Sequence, residues 1–289
     1  MFKALIKIMR PRQWTKNAFV LLALVFSEQL FILPAALHTL AGLVLFCLMS
    51  SAVYIFNDLA DIEADRLHPD KKNRPLPSGQ LPASVAWIAG ILLVAVALPL
   101  SYLLEPALTA ILASYFLVML VYSKWLKHIP ILDVLIIATG FVLRVQAGVA
   151  LLQVERFSPW LYVLMTLLAL YLGFGKRRAE LAMLNTNAGA HRPVLDGYTI
   201  PLLDQYITIV SGTTIVAYSL YTFTAPNVPP NHTMMLTIPF VFYAIFRYLY
   251  LIQLKHGGGA PEEVLLSDRP LQISILLWGL IVLVVFYLS

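Results

Sequence analysis

Charged residues are scarce in this sequence. Asp, Glu, Lys and Arg make up 12% of its 289 residues, about half the share usual in soluble domains. Only one cysteine is present, Cys47, so an intramolecular disulfide is excluded, and its place in an apolar run indicates a small buried thiol. Hydrophobic residues make up 60% of the chain and form long runs that short polar segments separate. This pattern excludes a soluble globule and predicts an integral membrane protein.

Apolar runs close to the roughly 20 residues that a spanning helix requires recur along the chain. Proline stands at or near most of their boundaries, where a helix tolerates it. The sequence therefore predicts an all-α polytopic bundle, folded as a single domain of about nine transmembrane helices. The predicted spans are 14–33, 35–56, 82–104, 106–123, 131–151, 159–175, 203–224, 233–254 and 270–288.

The N-terminal segment is amphipathic. Its apolar residues share one helical face and its basic residues lie on the other, which predicts an interfacial helix over 1–12 on the cytoplasmic surface. The two sets are Phe2, Leu5, Ile6 and Met9, against Lys3, Lys7 and Arg10. The apolar run that follows has no small-x-small cleavage pattern, so we expect the segment to be retained.

Basic residues are distributed unevenly between the two sides of the predicted bundle. Most of them lie in alternate segments between spans, beginning with the N-terminus. The positive-inside rule therefore predicts a cytoplasmic N-terminus, an external C-terminus and a place in the plasma membrane. The long polar loops at 57–80 and 176–200 then face the cytoplasm. Topology accounts for the net charge of +5, so we expect no nucleic acid partner; the oligomeric state is left open.

An acidic face follows the second predicted span. On a helix that continues from this span, Asn57, Asp58, Asp61 and Asp65 fall within about a 100° arc. Carboxylates this close repel each other unless a cation joins them, and oxygen-only ligands select a hard ion such as Mg²⁺. We predict that these four residues bind Mg²⁺ together with a diphosphate. The alternative is a solvated acidic turn that pairs with nearby Lys and Arg.

Basic residues lie on the same predicted side as the acidic face. Lys71 and Arg74 follow it closely; Arg suits bidentate phosphate binding, while Lys supplies a point charge. The loop after the fourth span and the end of the sixth add Tyr122, Lys127, Asp133, Lys176, Arg177 and Glu180. Basic span ends are ordinary topology signals when taken alone. Together with the acidic face, they form the pattern that a Mg²⁺–diphosphate complex requires.

These segments resemble the UbiA superfamily of intramembrane prenyltransferases, whose first motif, NDxxDxxxD, matches residues 57–65. They are more closely similar to its decaprenyl-phosphate phosphoribosyltransferase branch, and the similarity follows the whole chain in the expected order. The matching segments are Arg10-Pro11, Gln13-Trp14, Lys16-Asn17, His68-Pro69 with Lys71 and Arg74-Pro75, YSxxLK at 122–127, Gly140-Phe141 through Arg144 to Gly148, and GKRRAE at 175–180.

The resemblance implies a UbiA-like bundle and a Mg²⁺-dependent reaction. The implied enzyme transfers 5-phosphoribose from 5-phosphoribosyl 1-diphosphate to a polyprenyl phosphate of the decaprenyl type and releases diphosphate, in cell wall biosynthesis. In this interpretation Asp58, Asp61, Lys71 and Arg74 are catalytic. The implied substrate-binding residues are Lys16, Asn17, Tyr122, Lys127, Asp133, Lys176, Arg177 and Glu180.

Two other functions stay open at this point. An aromatic prenyltransferase of the same superfamily would use a polyprenyl diphosphate, although the many cytoplasmic Lys and Arg residues favour the more anionic substrate pair. A cation-coupled transporter would use the acidic face as an ion site; transporters usually show repeats with broken helices, and the loops at 57–80 and 176–200 are only loosely similar. Arg144 lies inside the fifth predicted span, where a charge is costly, and its role is open between structure and function.

Overall fold

The structure is a computed structural model that describes residues 1–67, 71–152, 158–184, 193–254, 264–265 and 267–288. All regular elements in these ranges are helices, which confirms the predicted all-α class. Eight of the described helices are long and apolar enough to cross a membrane. The chain is therefore a multi-pass membrane protein.

The α-helices follow one another along the chain with short connections. In chain order they are α1 (Phe2–Ile8), α2 (Leu22–Phe26), α3 (Leu33–Ala60), α4 (Ile62–Leu67), α5 (Ala83–Leu104), α6 (Pro106–Lys124), α7 (Leu132–Leu152), α8 (Pro159–Leu184), α9 (Ile200–Thr224), α10 (Ile238–Leu254) and α11 (Arg269–Tyr287). Further 3-10 helices cover Pro11–Leu21, Lys71–Asn73, Leu126–His128, Pro193–Gly197 and Thr233–Thr237.

Several helix starts are explained by their first residues. The side chain of Asp268 accepts a hydrogen bond from the Leu271 N–H at 2.9 Å, and that of Thr199 accepts one from the Leu202 N–H at 3.3 Å. These side chains satisfy backbone donors that have no partner inside the helix. Proline lies in the first turn of α3, α6, α9 and α11, where its missing N–H costs nothing. The proline boundaries in the sequence were therefore reliable.

The first predicted span, 14–33, is not a continuous α-helix. Its first part belongs to the 3-10 helix Pro11–Leu21, and α2 adds only five residues. At about 2.0 Å per residue, an eleven-residue 3-10 helix is roughly 22 Å long, and α2 adds about 7 Å. Residues 11–26 thus approach the roughly 30 Å of a bilayer core with fewer residues than an α-helix needs. A ninth crossing stays a prediction.

The described parts of the two predicted cytoplasmic loops are largely helical. Helix α8 continues to Leu184, beyond the predicted end of the sixth span at 175, so the basic residues after Gly175 extend the helix instead of ending it. In the segment 57–80, the end of α3 is followed by α4 and a short 3-10 helix. The rest of both loops lies partly outside the described residues.

The chain divides into two compact units. The first consists of Met1–Ile136 and Gly140–Val154, and the second of Ile137–Thr139 and Glu155–Ser289. In the first unit, α3 packs against α5, α6 and the 3-10 helix Pro11–Leu21. In the second, α8 packs against α9, and α10 against α11. That the chain acts as a single domain stays a prediction.

The N-terminal helix α1 packs against the end of α3 in the first unit. Its residues Ala4 and Ile8 are buried in a cluster with Ile55 and Leu81. Phe2, on the predicted apolar face, is 74% exposed. A helix is thus present where the sequence predicts one, but it ends at Ile8 and not at residue 12. The sequence did not show that Ala4 and Ile8, together with Leu5 and Met9 of the predicted apolar face, pack against protein. Its place at a membrane surface stays a prediction.

Candidate active site

The acidic residues lie where α3 gives way to α4. Asp61 follows the last residue of α3 with non-helical torsion angles (φ −101°, ψ 9°). The backbone nevertheless keeps a helical course, since the Asp61 N–H donates to the Asn57 carbonyl at 3.1 Å and the Asp65 N–H to the Asp61 carbonyl at 2.8 Å. This course keeps the NDxxDxxxD residues close together, as the sequence predicts.

Arg74 joins two of these carboxylates. Its Nη1 lies 2.7 Å from Asp65 Oδ2 and 3.3 Å from Asp58 Oδ1, and Lys71 Nζ lies 3.7 Å from Asp65 Oδ1. Both carboxylates are only 2% exposed. Buried charges are costly unless they are paired, so the basic residues that follow the motif compensate for its buried acids.

Arg10 is the site residue that reasoning from the sequence missed. Its guanidinium forms an ion pair with Asp58 and lies 4.8 Å from the centre of the Tyr54 ring. Arg10 has left-handed torsion angles (φ 53°, ψ 60°) where α1 gives way to the 3-10 helix Pro11–Leu21. The sequence marked Arg10-Pro11 only as a matching segment. No local signal pairs it with a carboxylate 48 residues away.

Lys127 neutralises the third carboxylate. Its Nζ lies 2.7 Å and 2.9 Å from the two carboxylate oxygens of Asp61. Lys127 comes from the short 3-10 helix after α6, so this pair joins the end of α6 to the end of α3. The structure thus confirms that Asp58, Asp61 and Asp65 lie beside the basic residues that the sequence assigned to phosphate.

The carboxylates do not converge as a preformed metal cage. Within the described residues, no group of three or more His, Cys, Asp or Glu side chains could hold a metal ion; Asp58, Asp61 and Asp65 are instead paired with basic side chains, and Arg74 contacts two of them. The donor chemistry still fits Mg²⁺, which usually takes only one or two carboxylates and completes its shell with phosphate oxygens and water. The assignment of Asn57, Asp58, Asp61 and Asp65 as metal ligands stays a prediction.

The side chain of Asn17 is enclosed by the protein. It is fully buried, and its amide nitrogen donates to Ser50 Oγ at 3.0 Å and to Cys47 Sγ at 3.3 Å, while its oxygen accepts from Arg144 Nε at 2.8 Å. The amide is thus engaged at both ends, which favours a packing role, and substrate binding by Asn17 stays a prediction.

The other predicted binding residues of the first unit are dispersed. Lys16 and Tyr122 are half-buried. Asp133 is 0% exposed, in the first turn of α7, where a helix N-terminus favours a negative charge. This burial favours a structural role for Asp133 over the predicted contact with substrate. Binding by Lys16 and Tyr122 stays a prediction, and His68 lies outside the described residues.

The predicted residues of the second unit lie on α8. Arg177 Nη1 pairs with Glu180 Oε2 at 2.7 Å, and the Arg177 side chain is 2% exposed. The neighbouring Arg178 pairs with Asp204 of α9 at 2.6 Å and donates to the Ile252 carbonyl of α10 at 3.0 Å. Arg178 therefore ties three helices of this unit together. Phosphate binding by Lys176, Arg177 and Glu180 stays a prediction.

Comparison with known proteins identifies the class to which this fold and site belong. The model of the UbiA prenyltransferase family matches residues 17–263, so the chain belongs to that family. It is similar in fold to a UbiA homologue from Archaeoglobus fulgidus solved with DMAPP and Mg²⁺, with a TM-score of 0.72, 19% identity and 99% of both chains covered. The same homologue was also solved with Cd²⁺, so these neighbours bind divalent metal ions.

The curated relatives point to one branch of the family. The chain is 37% identical to decaprenyl-phosphate phosphoribosyltransferase of Mycolicibacterium smegmatis, over 95% of this chain and 89% of the relative. It is 32% identical to the protein of the same name from Corynebacterium glutamicum, over 98% of this chain and 87% of the relative. These matches confirm the resemblance that the motifs indicated.

Proposed function

We propose that the chain is a Mg²⁺-dependent phosphoribosyltransferase. It transfers 5-phosphoribose from 5-phosphoribosyl 1-diphosphate to a polyprenyl phosphate of the decaprenyl type and releases diphosphate. The observation that carries the proposal is a cluster of three acids and four basic residues around the junction of α3 and α4. Lys127 pairs with Asp61, Arg10 with Asp58, Lys71 with Asp65, and Arg74 with both Asp58 and Asp65.

The site's own residues supply charge stabilisation and positioning. When bound, Mg²⁺ would neutralise the diphosphate as it leaves, held by oxygens of Asn57, Asp58, Asp61 and Asp65. Arg10, Arg74 and Lys127 would exchange their carboxylate partners for phosphate oxygens. Electrostatic stabilisation of developing charge is commonly the largest single contribution to an enzymatic rate, and in this transfer it would act on the departing diphosphate.

The reaction needs no strong base. An oxygen of the lipid phosphate is already anionic; it forms the new bond to ribose C1 as the C1–O bond to diphosphate breaks, and the bonding pair leaves with the diphosphate. The protein therefore has to align the two anions and offset their repulsion, which the basic residues around Asp58 and Asp61 do. The membrane-spanning helices would hold the polyprenyl chain in the bilayer, with the site on the cytoplasmic side.

An aromatic prenyltransferase is the second candidate function. The observation in its favour is the similarity of fold to homologues solved with DMAPP or GPP and Mg²⁺. Such an enzyme would make a carbon–carbon bond to an aromatic ring, whereas the phosphoribosyltransferase makes a phosphodiester-like bond to a lipid phosphate. The two functions differ in both substrates and can be separated in one assay.

The test uses the full chain in detergent or nanodiscs with Mg²⁺. Labelled 5-phosphoribosyl 1-diphosphate and polyprenyl phosphates of several lengths should yield a lipid-linked phosphoribose, while a prenyl diphosphate with an aromatic acid should yield nothing. The opposite result would establish the second candidate, and the absence of lipid-linked phosphoribose at every chain length would refute the proposal.

Asp61→Asn provides the first mutational prediction. The change removes a charge that both binds Lys127 and serves as a predicted metal ligand, so we expect turnover to fall by at least about 10²-fold. Size-exclusion profiles should stay those of the folded protein. Full activity in Asp61→Asn would contradict the role given to the acidic face.

A further inference from the structure

Arg144 lies buried on α7, and its charge has no acidic partner among the described residues. It is 5% exposed, and its hydrogen-bond partners within the described residues are all neutral: Asn17 Oδ1 at 2.8 Å, the Gly140 carbonyl at 2.7 Å and Tyr115 Oη at 3.0 Å. The guanidinium also lies within 5.4 Å of three aromatic ring centres, those of Phe46, Tyr115 and Phe141. A charge at this depth is expensive, so its position requires an explanation beyond packing.

The element that Arg144 reaches through Asn17 is itself unusual. The 3-10 helix Pro11–Leu21 has eleven residues, whereas runs longer than three or four residues are uncommon because the 3-10 hydrogen bonds are poor. External contacts must therefore hold it. Trp14 Nε1 donates to Ser51 Oγ at 3.0 Å, Asn17 is held by Ser50 and Arg144, and Val20 packs directly on Gly148.

These contacts occur at intervals of three residues, which is the period of a 3-10 helix. Trp14, Asn17 and Val20 lie on one face only if the chain turns by about 120° per residue. In an α-helix, at about 100° per residue, Asn17 would turn by roughly 60° and Val20 by roughly 120° relative to Trp14. The contacts therefore select the 3-10 form, and Arg144 supplies the central one.

The 3-10 form determines how far the segment reaches. It rises about 0.5 Å more per residue than an α-helix, so over the ten residues between Val20 and Arg10 the difference is about 5 Å. Arg10 is the residue that begins this helix and binds Asp58. A relaxed, α-helical segment would draw its guanidinium away from the carboxylate.

We propose that Arg144 is a positioning residue for the transfer reaction: it holds residues 11–21 in the 3-10 form and so places Arg10 at Asp58. The proposal rests on the proposed function for its effect on activity, but not for its effect on structure. The structural part is measurable without any substrate.

Structure is tested by the distance between two spin labels. Arg12→Cys lies on the exposed face of the 3-10 helix and Lys124→Cys at the exposed end of α6, while the native Cys47 is buried. Arg144→Gln should shift or broaden the label distance by up to about 5 Å. Gly148→Ala should do the same without touching Arg144, because its Cβ would stand 2.0 Å from the Val20 carbonyl oxygen.

Activity is tested with Arg144→Lys and Arg144→Gln. Both should lower kcat by about 10–100-fold, the scale of a misplaced catalytic group, and leave the KM for the lipid phosphate within about two-fold. The matched control is Arg247→Lys, an arginine in α10 that pairs with Asp268 at 2.8 Å; it should keep normal kcat. A selective rise in the KM for the lipid phosphate would show that Arg144 binds substrate directly, and would overturn the proposal.

A double-mutant cycle with Arg10→Gln completes the test. If Arg144 acts through Arg10, Arg10→Gln with Arg144→Gln should be no slower than Arg10→Gln alone. Additive losses, or an unchanged label distance in Arg144→Gln, would overturn the proposal. Should no phosphoribosyl transfer be found at all, the label distances still decide the structural part, so the two failures are distinguishable.

Discussion

At the scale of residues, the site is a set of ion pairs with very different surroundings. Asp65 is nearly buried and accepts a hydrogen bond from Arg74 at 2.7 Å, whereas Glu63 on the same helix is exposed and pairs with the exposed Arg66 at 2.7 Å. Exposed pairs contribute about 0–1 kcal/mol. A buried ion pair, in contrast, fixes the positions of both side chains. Removing the charge of Asp65 should therefore disturb the site more than removing the charge of Glu63.

We therefore predict a loss of turnover in Asp65→Asn but not in Glu63→Gln. The first removes a predicted metal ligand and the charge that pairs with Arg74 and Lys71, so it should lower turnover by at least the roughly 10–100-fold that loss of an outer-shell partner costs at a metal site. The second should leave turnover unchanged. Initial rates with saturating substrates measure both, and equal activity of the two variants would show that the charge of Asp65 is not needed for turnover.

At the scale of elements, α1 packs against the end of α3 through Ala4 and Ile8, and Ile8 is the larger of these two buried side chains. Ile8 is 1% exposed against the cluster around Ile55, while Ile6, two residues earlier, is 42% exposed. Arg10 follows two residues after Ile8, so the packing of α1 also affects the position of Arg10 at the site. The N-terminal helix is thus joined to the acidic face by its position in the chain and by packing.

Ile8→Ala should destabilise the protein by about 2–5 kcal/mol and lower kcat as α1 and Arg10 lose their fixed position. Ile6→Ala, the matched change on the exposed face, should lower the melting temperature much less. Thermal unfolding in one detergent compares the two. If Ile6→Ala were the more damaging change, α1 would be packed through the other face.

The helices were easier to predict than their contacts. Hydrophobic runs and prolines place α3, α5, α6, α7, α9 and α11 close to their observed bounds, because the bilayer requires long apolar stretches and proline is tolerated at helix starts. The 3-10 form of residues 11–21 was not visible, since it depends on Arg144 and Gly148 more than a hundred residues away. The pairing of Arg10 with Asp58 was hidden for the same reason.

Within the site, composition predicted the kinds of residue correctly and their roles only in part. The motif spacing places the acids at the end of α3 and on α4, Lys71 and Arg74 follow them in the chain, and Lys127 reaches Asp61 from the 3-10 helix after α6. Asn17 has the polarity of a ligand but is enclosed by α3 and α7. Burial of this kind depends on tertiary packing, which a short motif does not encode.

At the scale of the whole molecule, orientation in the membrane is the main prediction to test. With a cytoplasmic N-terminus and a crossing by residues 11–26, Lys3 and Lys72 lie inside and Glu28 outside. The side of the membrane on which each residue lies can be measured with single introduced cysteines, Lys3→Cys, Glu28→Cys and Lys72→Cys. Each is tested for reaction with an impermeant maleimide on intact cells. Glu28 and Lys72 are exposed in the structure, and the native Cys47 is buried.

We expect Glu28→Cys to react with intact cells, and Lys3→Cys and Lys72→Cys to react only after permeabilisation. Reaction of Lys3→Cys and Glu28→Cys from the same side would show that the 3-10 helix and α2 do not cross the bilayer. The reversed pattern would place the basic loops outside, contrary to the positive-inside rule.

The sharing of Arg74 by Asp58 and Asp65 has one further consequence, for the order in which ligands arrive. A divalent ion that takes over a carboxylate frees a guanidinium, and an anion that takes over the guanidinium frees a carboxylate. Each ligand thus raises the affinity for the other by the same factor. Either one alone leaves an unmatched charge beside the buried carboxylates, so we expect the metal ion and the diphosphate ester to bind together.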